Sequence, residues 1–191
     1  MISVKDFSFQ YQGSSSPALS GLSLEIADGD FLGITGTSGA GKTTLALALD
    51  GIIPHKIRGD FYGQITVNGE DTLAHPAEDF AQHIGEVFQD IDSQMVASVV
   101  EDEILFGMEN FGIPHDEITA RLEKVLRELG IEDLREREIS SLSGGQKQKV
   151  AIASVLALEP RYIILDEPTG ELDPESSREI FELLTRLNRE K

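Results

Sequence analysis

Nine consecutive residues carry the clearest chemistry in this chain: Gly36-Thr37-Ser38-Gly39-Ala40-Gly41-Lys42-Thr43-Thr44. They fit the phosphate-loop pattern G-x-x-x-x-G-K-[ST] at Gly36, Gly41, Lys42 and Thr43. Glycines let a backbone turn tightly and bring its N–H groups against phosphate oxygens. A helix starting at this point adds unpaired donors and the positive end of its dipole. Lys42 supplies a mobile positive charge, and the Thr43 hydroxyl is a ligand for Mg²⁺. A second group is Asp166-Glu167, at the end of the apolar run Tyr162-Ile163-Ile164-Leu165. A carboxylate ending a buried strand beside a phosphate loop can hold Mg²⁺ through water, and the next carboxylate can polarise an attacking water as general base. A third is Ser143-Gly144-Gly145-Gln146. Two glycines at a helix start are expected to leave N–H groups bare beside a serine hydroxyl, which makes a second anion site.

These groups need elements to position them. Phe31 to Thr35 reads as a short buried strand before the phosphate loop, and Leu45, Leu47, Ala48 and Leu49 as apolar positions on the helix after it. Ile2, Val4, then Phe7, Phe9 and Tyr11 alternate with polar residues, which predicts a half-buried strand with one slip of phase near Lys5-Asp6. Leu22, Leu24 and Ile26 predict a second strand. Ile53 to Gly63 reads as loop, and Ile65-Thr66-Val67 before Asn68-Gly69 as a strand entering a tight hairpin. Ile84 to Phe88 reads as a strand. From about residue 90 the pattern becomes helical. Ile118, Leu122, Val125, Leu126 and Leu129 recur at helical spacing before the stop Gly130, and residues 143–158 read as a further helix. Asp173-Pro174 caps a last helix with Ile180, Leu183, Leu184 and Leu187 on one face.

The 34 acidic and 16 basic residues give a formal net charge of −18. That balance argues against nucleic acid or an anionic lipid surface as a main partner. The absence of cysteine excludes a disulfide framework and thiolate metal sites. The longest nearly apolar run, residues 150–158, is far short of the roughly 20 residues that span a bilayer.

Leu142-Ser143-Gly144-Gly145-Gln146 followed by Lys147-Gln148-Lys149-Val150-Ala151-Ile152-Ala153, with Asp166-Glu167-Pro168-Thr169 and Leu172-Asp173-Pro174 behind it, resembles the signature of ATP-binding cassette (ABC) ATPases. The resemblance covers essentially the whole chain. It implies an α/β P-loop NTPase fold: a three-layer core (1–89 and 155–191) with an antiparallel β subdomain, and an inserted helical subdomain over about 90–154. It implies ATP and Mg²⁺ as cofactors. Phosphates would lie on residues 36–44. Thr43, Gln89 and Asp166 would serve the metal, Glu167 would be the catalytic base, and Gln89 would match the family's Q-loop glutamine. Tyr11 matches the aromatic residue that stacks on adenine. Cassettes of this kind form head-to-tail dimers, in which Ser143, Gly144, Gly145 and Gln146 of one chain complete the site of the other. The stretches Val87 to Gln94, Val100 to Gly107, Asn110 to Pro114 and Gly51 to His55 are further similar to energy-coupling factor (ECF) transporter ATPases. That group implies a membrane coupling subunit docking near residues 89–107, a separate substrate-binding membrane protein for a vitamin or a metal ion, and a place on the cytoplasmic face of the membrane.

The sequence departs from the family pattern in three ways. The switch histidine expected about 30 residues after Glu167 is missing, because His55, His75, His83 and His115 all precede it. The strand that carries it belongs in the centre of the sheet, so these 191 residues are expected to be part of a longer chain, with inefficient hydrolysis on their own. Glu171 stands where a small residue is usual, and Lys149 where arginine is usual. Two other readings stay open: a soluble ABC-type mechanoenzyme acting on nucleic acid or ribosomes, and a non-hydrolysing fragment. The transported substrate and the choice between homodimer and heterodimer are not encoded in these residues.

Overall fold

The structure is a computed structural model, and it describes residues 1–190. By its internal contacts the chain divides into two compact units, Met1–Ile84 and the part from Gly85 onward.

The first unit is built on a four-stranded antiparallel sheet of order β2-β1-β3-β4. Its strands are β1 (Ile2–Tyr11), β2 (Leu19–Ile26), β3 (Gly59–Val67) and β4 (Glu70–Asp71). The phase slip predicted in β1 is a bulge. Pairing with β2 runs Ile2 to Ile26 and Val4 to Leu24, then shifts register before Phe7 meets Leu22. Asp6 takes φ 49° at the shift. The bulge turns the apolar residues on both sides of it to one face, so Ile2, Val4, Phe7 and Phe9 are all buried. Full burial of Phe7 and Phe9 stabilises the fold by roughly 2–3 kcal/mol each. Asn68 and Gly69 both have positive φ and turn β3 into β4, as their sequence predicts.

Two expectations are corrected in this unit. Residues 59–63 are strand, not loop, because Gly59 pairs with Tyr11 and Phe61 with Phe9. The sequence signal was masked by glycine, and Gly59 is there for close approach: a Cβ on it would lie 2.3 Å from the Gln10 carbonyl and 2.5 Å from the Phe9 ring. Residues 31–35, expected as a buried strand, pair with no described strand, and Phe31, Leu32 and Ile34 are 52, 48 and 47% exposed. A strand exists only where a neighbour receives its N–H and C=O groups, so apolar character alone does not make one. Helix α1 (Lys42–Leu49) follows, with Leu45, Ala46, Ala48 and Leu49 buried. Two single turns, α2 (Ile52–His55) and α3 (Ala77–Phe80), close the unit.

The second unit pairs β5 (Ile84–Val87) with β6 (Tyr162–Leu165) and carries a helical cluster. The helices are α4 (Ile91–Gln94), α5 (Val100–Asn110), α6 (His115–Leu129), α7 (Gly144–Leu156) and α8 (Pro174–Glu190). The buried face of α6 is the predicted set, Ile118, Leu122, Val125, Leu126 and Leu129. Ile180, Leu183, Leu184 and Leu187 of α8 join the same apolar cluster, as do Val150 to Ala153 of α7. The amphipathic period of 3.6 thus fixes which side of each helix faces inward. No helix among the described residues is long and apolar enough to cross a membrane.

Candidate nucleotide site

Residues 36–40 form an exposed loop, turned by a hydrogen bond of 3.1 Å from Ala40 N to the Thr37 carbonyl. The N-cap of α1 is Gly41, which offers no side-chain cap. A helix start without a side-chain cap has the polarity that a phosphate group favours. Lys42 Nζ donates at 3.3 Å to the Gly36 and Thr37 carbonyls, so the loop curls around the ammonium. Gly41 is doubly constrained. Its φ is 93°, and a Cβ would lie 2.7 Å from both the Ala18 carbonyl oxygen and Leu19 Cδ2. Thr43 and Thr44 separate. Thr43 is exposed, whereas Thr44 is buried and its Oγ1 lies 2.8 Å from the Tyr11 hydroxyl. Tyr11 also packs edge-on against Phe9, with centroids 5.0 Å apart, so its ring is fixed at both ends.

In the second unit, β6 delivers Asp166. Its N–H donates to the Val87 carbonyl at 3.0 Å, and the residue is buried at 7% exposure. Glu167 follows with φ 50°, a left-handed conformation that an L-residue holds only at a cost of about 1–3 kcal/mol. The strain turns the chain sharply off the strand. The Gly170 N–H then closes the turn on the Glu167 carbonyl at 2.9 Å. Gln89 Nε2 donates to Glu167 Oε2 at 3.3 Å, bringing together residues 78 positions apart. That contact uses the amide nitrogen of Gln89.

The start of α7 carries a feature beyond the expected glycine pair. Ser143 and Gln146 form a capping box. Ser143 Oγ accepts from Gln146 N at 3.3 Å, and Gln146 Oε1 accepts from Ser143 N at 3.0 Å. The Ser143 hydroxyl is thus an acceptor toward its own helix, and the amide of Gln146 is not bare. The two glycines have a packing role as well. A Cβ on Gly144 would come within 3.2 Å of Leu172 Cδ2, and one on Gly145 within 3.2 Å of Ser176. Asp173 caps α8 as predicted, accepting from the Glu175 and Ser176 amides at 2.9 and 3.0 Å. The Ser176 hydroxyl beside it, with those amides, holds its carboxyl below the usual range.

Several residues that support this region escaped sequence reading. Gln94 accepts from Phe88 N at 2.9 Å and donates to the Glu86 carbonyl at 3.1 Å, bracketing the end of β5. The buried Glu103 accepts from Val96 and Ala97 amides at 2.8 and 2.7 Å. Lys147 Nζ reaches Asp92 at 2.6 Å, joining α7 to α4. Their only sequence signal is a polar residue inside an otherwise apolar helical pattern, which does not name its partner.

The ABC transporter family profile matches residues 19–170. The chain belongs to that family, whose cassettes are ATP-binding ATPases. It is 44% identical over 190 residues to a Pyrococcus horikoshii protein named "Putative ABC transporter ATP-binding protein", covering all of this chain and 67% of the relative. It is 45% identical over 192 residues to "Putative HMP/thiamine import ATP-binding protein YkoD" of Bacillus subtilis, covering all of this chain but 35% of that one. Its fold superposes on cbiO1 of Clostridium perfringens, described as part of the ABC transporter complex cbiONQ. The TM-score there is 0.88, with 35% identity over 99% of this chain and 74% of the other. A bacterial ABC transporter cassette solved as a dimer gives a TM-score of 0.81 at 27% identity, covering all of this chain and 84% of that one. The α/β P-loop ABC ATPase fold is thereby shown, with the antiparallel sheet that the strand pattern predicts.

Proposed function

We propose that this chain is the ATP-hydrolysing cassette of an ECF-type importer of a vitamin or a metal ion. The contact of Gln89 with Glu167, next to the buried Asp166, carries the reading. A neutral amide lies within 3.3 Å of the carboxylate that this reading makes the general base.

In this reading the amides of residues 36–44 and Lys42 bind the phosphates, and Tyr11 stacks on adenine. The Thr43 hydroxyl, Asp166 and the Gln89 amide oxygen would hold Mg²⁺. They are hard oxygen donors of the kind this ion takes, alongside phosphate oxygens and water. No cluster of three His, Cys, Asp or Glu exists among the described residues, which fits an ion held largely by its nucleotide. When bound, the ion neutralises charge on the phosphates. Glu167 orients and deprotonates the attacking water, and Gln89 fixes the Glu167 carboxylate. The core would comprise 1–89 and 155–191, with 90–154 as a helical subdomain that carries Ser143 to Gln146 to a second cassette's nucleotide. A membrane coupling subunit and a substrate-binding membrane protein would hold the cassette at the cytoplasmic face of the membrane. The net charge of −18 supports such protein partners over nucleic acid.

The test is Glu167→Gln. The amide keeps the size of the side chain and an oxygen for Gln89, so ATP should still bind and a nucleotide-sandwiched dimer should accumulate on gel filtration. Turnover should fall by at least about 10²-fold, the scale of a lost general base. Turnover equal to that of the unmodified protein sinks the assignment. Co-purification with a polytopic membrane protein, rather than with RNA, tests the importer.

A further inference from the structure

Gln148 is a polar residue on the buried side of α7. It is 4% exposed, and its Nε2 has no hydrogen-bond partner among the described residues. A buried amide donor left unmade is costly, so its retention needs a reason. Gln148 also lines a cleft of about 120 Å³, whose other walls include Gln89, Lys147, Glu167, Gly170 and Leu172. The lining also includes the turn after β6, which carries the carboxylates of Glu167 and Glu171. There the Thr169 carbonyl accepts one bond, from Leu172 at 3.2 Å. A carbonyl oxygen has two lone pairs and can accept a second bond.

We propose that Gln148 is a positioning residue for Glu167, an inference that rests on the ATPase reading above. When the cleft narrows, the Gln148 amide donates to a carbonyl of the 167–172 turn. The bond satisfies the orphaned donor and holds the turn that presents the Glu167 carboxylate. Lys147, the preceding residue on α7, is tied to Asp92 of α4, so the Gln148 bond would hold the 167–172 turn on the same part of α7 that anchors α4. The unmade bond in the open cleft supplies the drive toward closure.

The test compares Gln148→Met and Gln148→Leu with the unmodified protein, each as the full gene product. Both substitutions remove the donor and keep an apolar side chain of similar length. Because the donor is unpaired in the open form, the variants should melt at the same temperature as the parent, or higher. ATP turnover should fall about tenfold, with KM for ATP and fluorescent ATP-analogue binding unchanged. An ordinary structural glutamine would give the opposite pattern: lower melting temperature and activity lost in proportion to folded protein. That result, in both variants, overturns the inference, as does turnover within twofold of the parent. A parent protein with no ATP turnover, or one whose turnover survives Glu167→Gln, overturns the underlying reading and this inference with it. An active, Glu167-dependent parent with unaffected Gln148 variants overturns the inference alone.

Discussion

Replacing Gly41 by alanine adds one methyl group, and the structure says where it goes. The residue sits at φ 93°, so an L-side chain there carries the left-handed penalty of about 1–2 kcal/mol. The new Cβ would lie 2.7 Å from the Ala18 carbonyl oxygen and 2.7 Å from Leu19 Cδ2. The leucine can turn away, but the carbonyl belongs to a residue whose own N–H is held by the Phe9 carbonyl at 2.8 Å. Overpacking of this kind costs about 1–3 kcal/mol. Against both stands a gain of about 0.4–1 kcal/mol from a less flexible unfolded chain. The net expectation is a loss of about 3 kcal/mol. Gly39 is the internal control: its φ is 78° in the same loop, yet a Cβ on it meets nothing within 4 Å. Gly39→Ala should therefore cost only about 0.5–1 kcal/mol from strain less the entropic gain. Urea denaturation of both variants measures the difference, expected near 2 kcal/mol, and titration with a fluorescent ATP analogue should show Gly41→Ala binding more weakly than Gly39→Ala. If the two variants unfold at the same urea concentration, the close approach of residues 18 and 19 is not what requires glycine at 41.

Glu103→Ala should cost about 2–4 kcal/mol in urea titrations, because it strips the acceptor from the Val96 and Ala97 amides. Glu103→Gln, which keeps one acceptor oxygen, should lose less. Ser143→Ala should lower stability by about 1 kcal/mol through the broken capping box. Its effect on dimer formation with Glu167→Gln in the background should be larger than on folding, and equal effects would make the serine a cap and nothing more. The Arg135 guanidinium, donating from Nε at 2.9 Å and from a second nitrogen, holds the Glu101 carboxyl below its usual 4.5. Because the folded value is the lower one, this pair's contribution is complete above pH 4.5 and is lost as pH falls through the folded value. The stability gap between the parent and Glu101→Gln, measured by denaturation from pH 7 down to 3, should therefore shrink below about pH 4.5. A gap that is constant with pH removes the ion pair as its source.

What the sequence disclosed, and what it hid, follows from the range of each interaction. The bulge in β1, the Asn68-Gly69 turn, the Asp173 cap and the buried face of α6 were all legible, because each is set by residues within a few positions of one another. The strand at 59–63 was not, because a glycine needed by the Phe9 ring erased its local signal. The absent ladder at 31–35 shows the converse: local apolar character is complete there, but pairing is a property of two segments. The site divides along the same line. Residues 36–44 announce themselves because one loop supplies every donor. Gln89 and Glu167 lie 78 residues apart, and their contact was reachable only through the family pattern. Gln148 had no such aid, for inside the signature helix it reads as one more polar position. Its burial, its unmade hydrogen bond and its place in the cleft beside the 167–172 turn are what distinguish it from a solvated glutamine. A polar group that the fold buries without a partner needs an explanation, and the one proposed for Gln148 is a bond to the turn that carries Glu167.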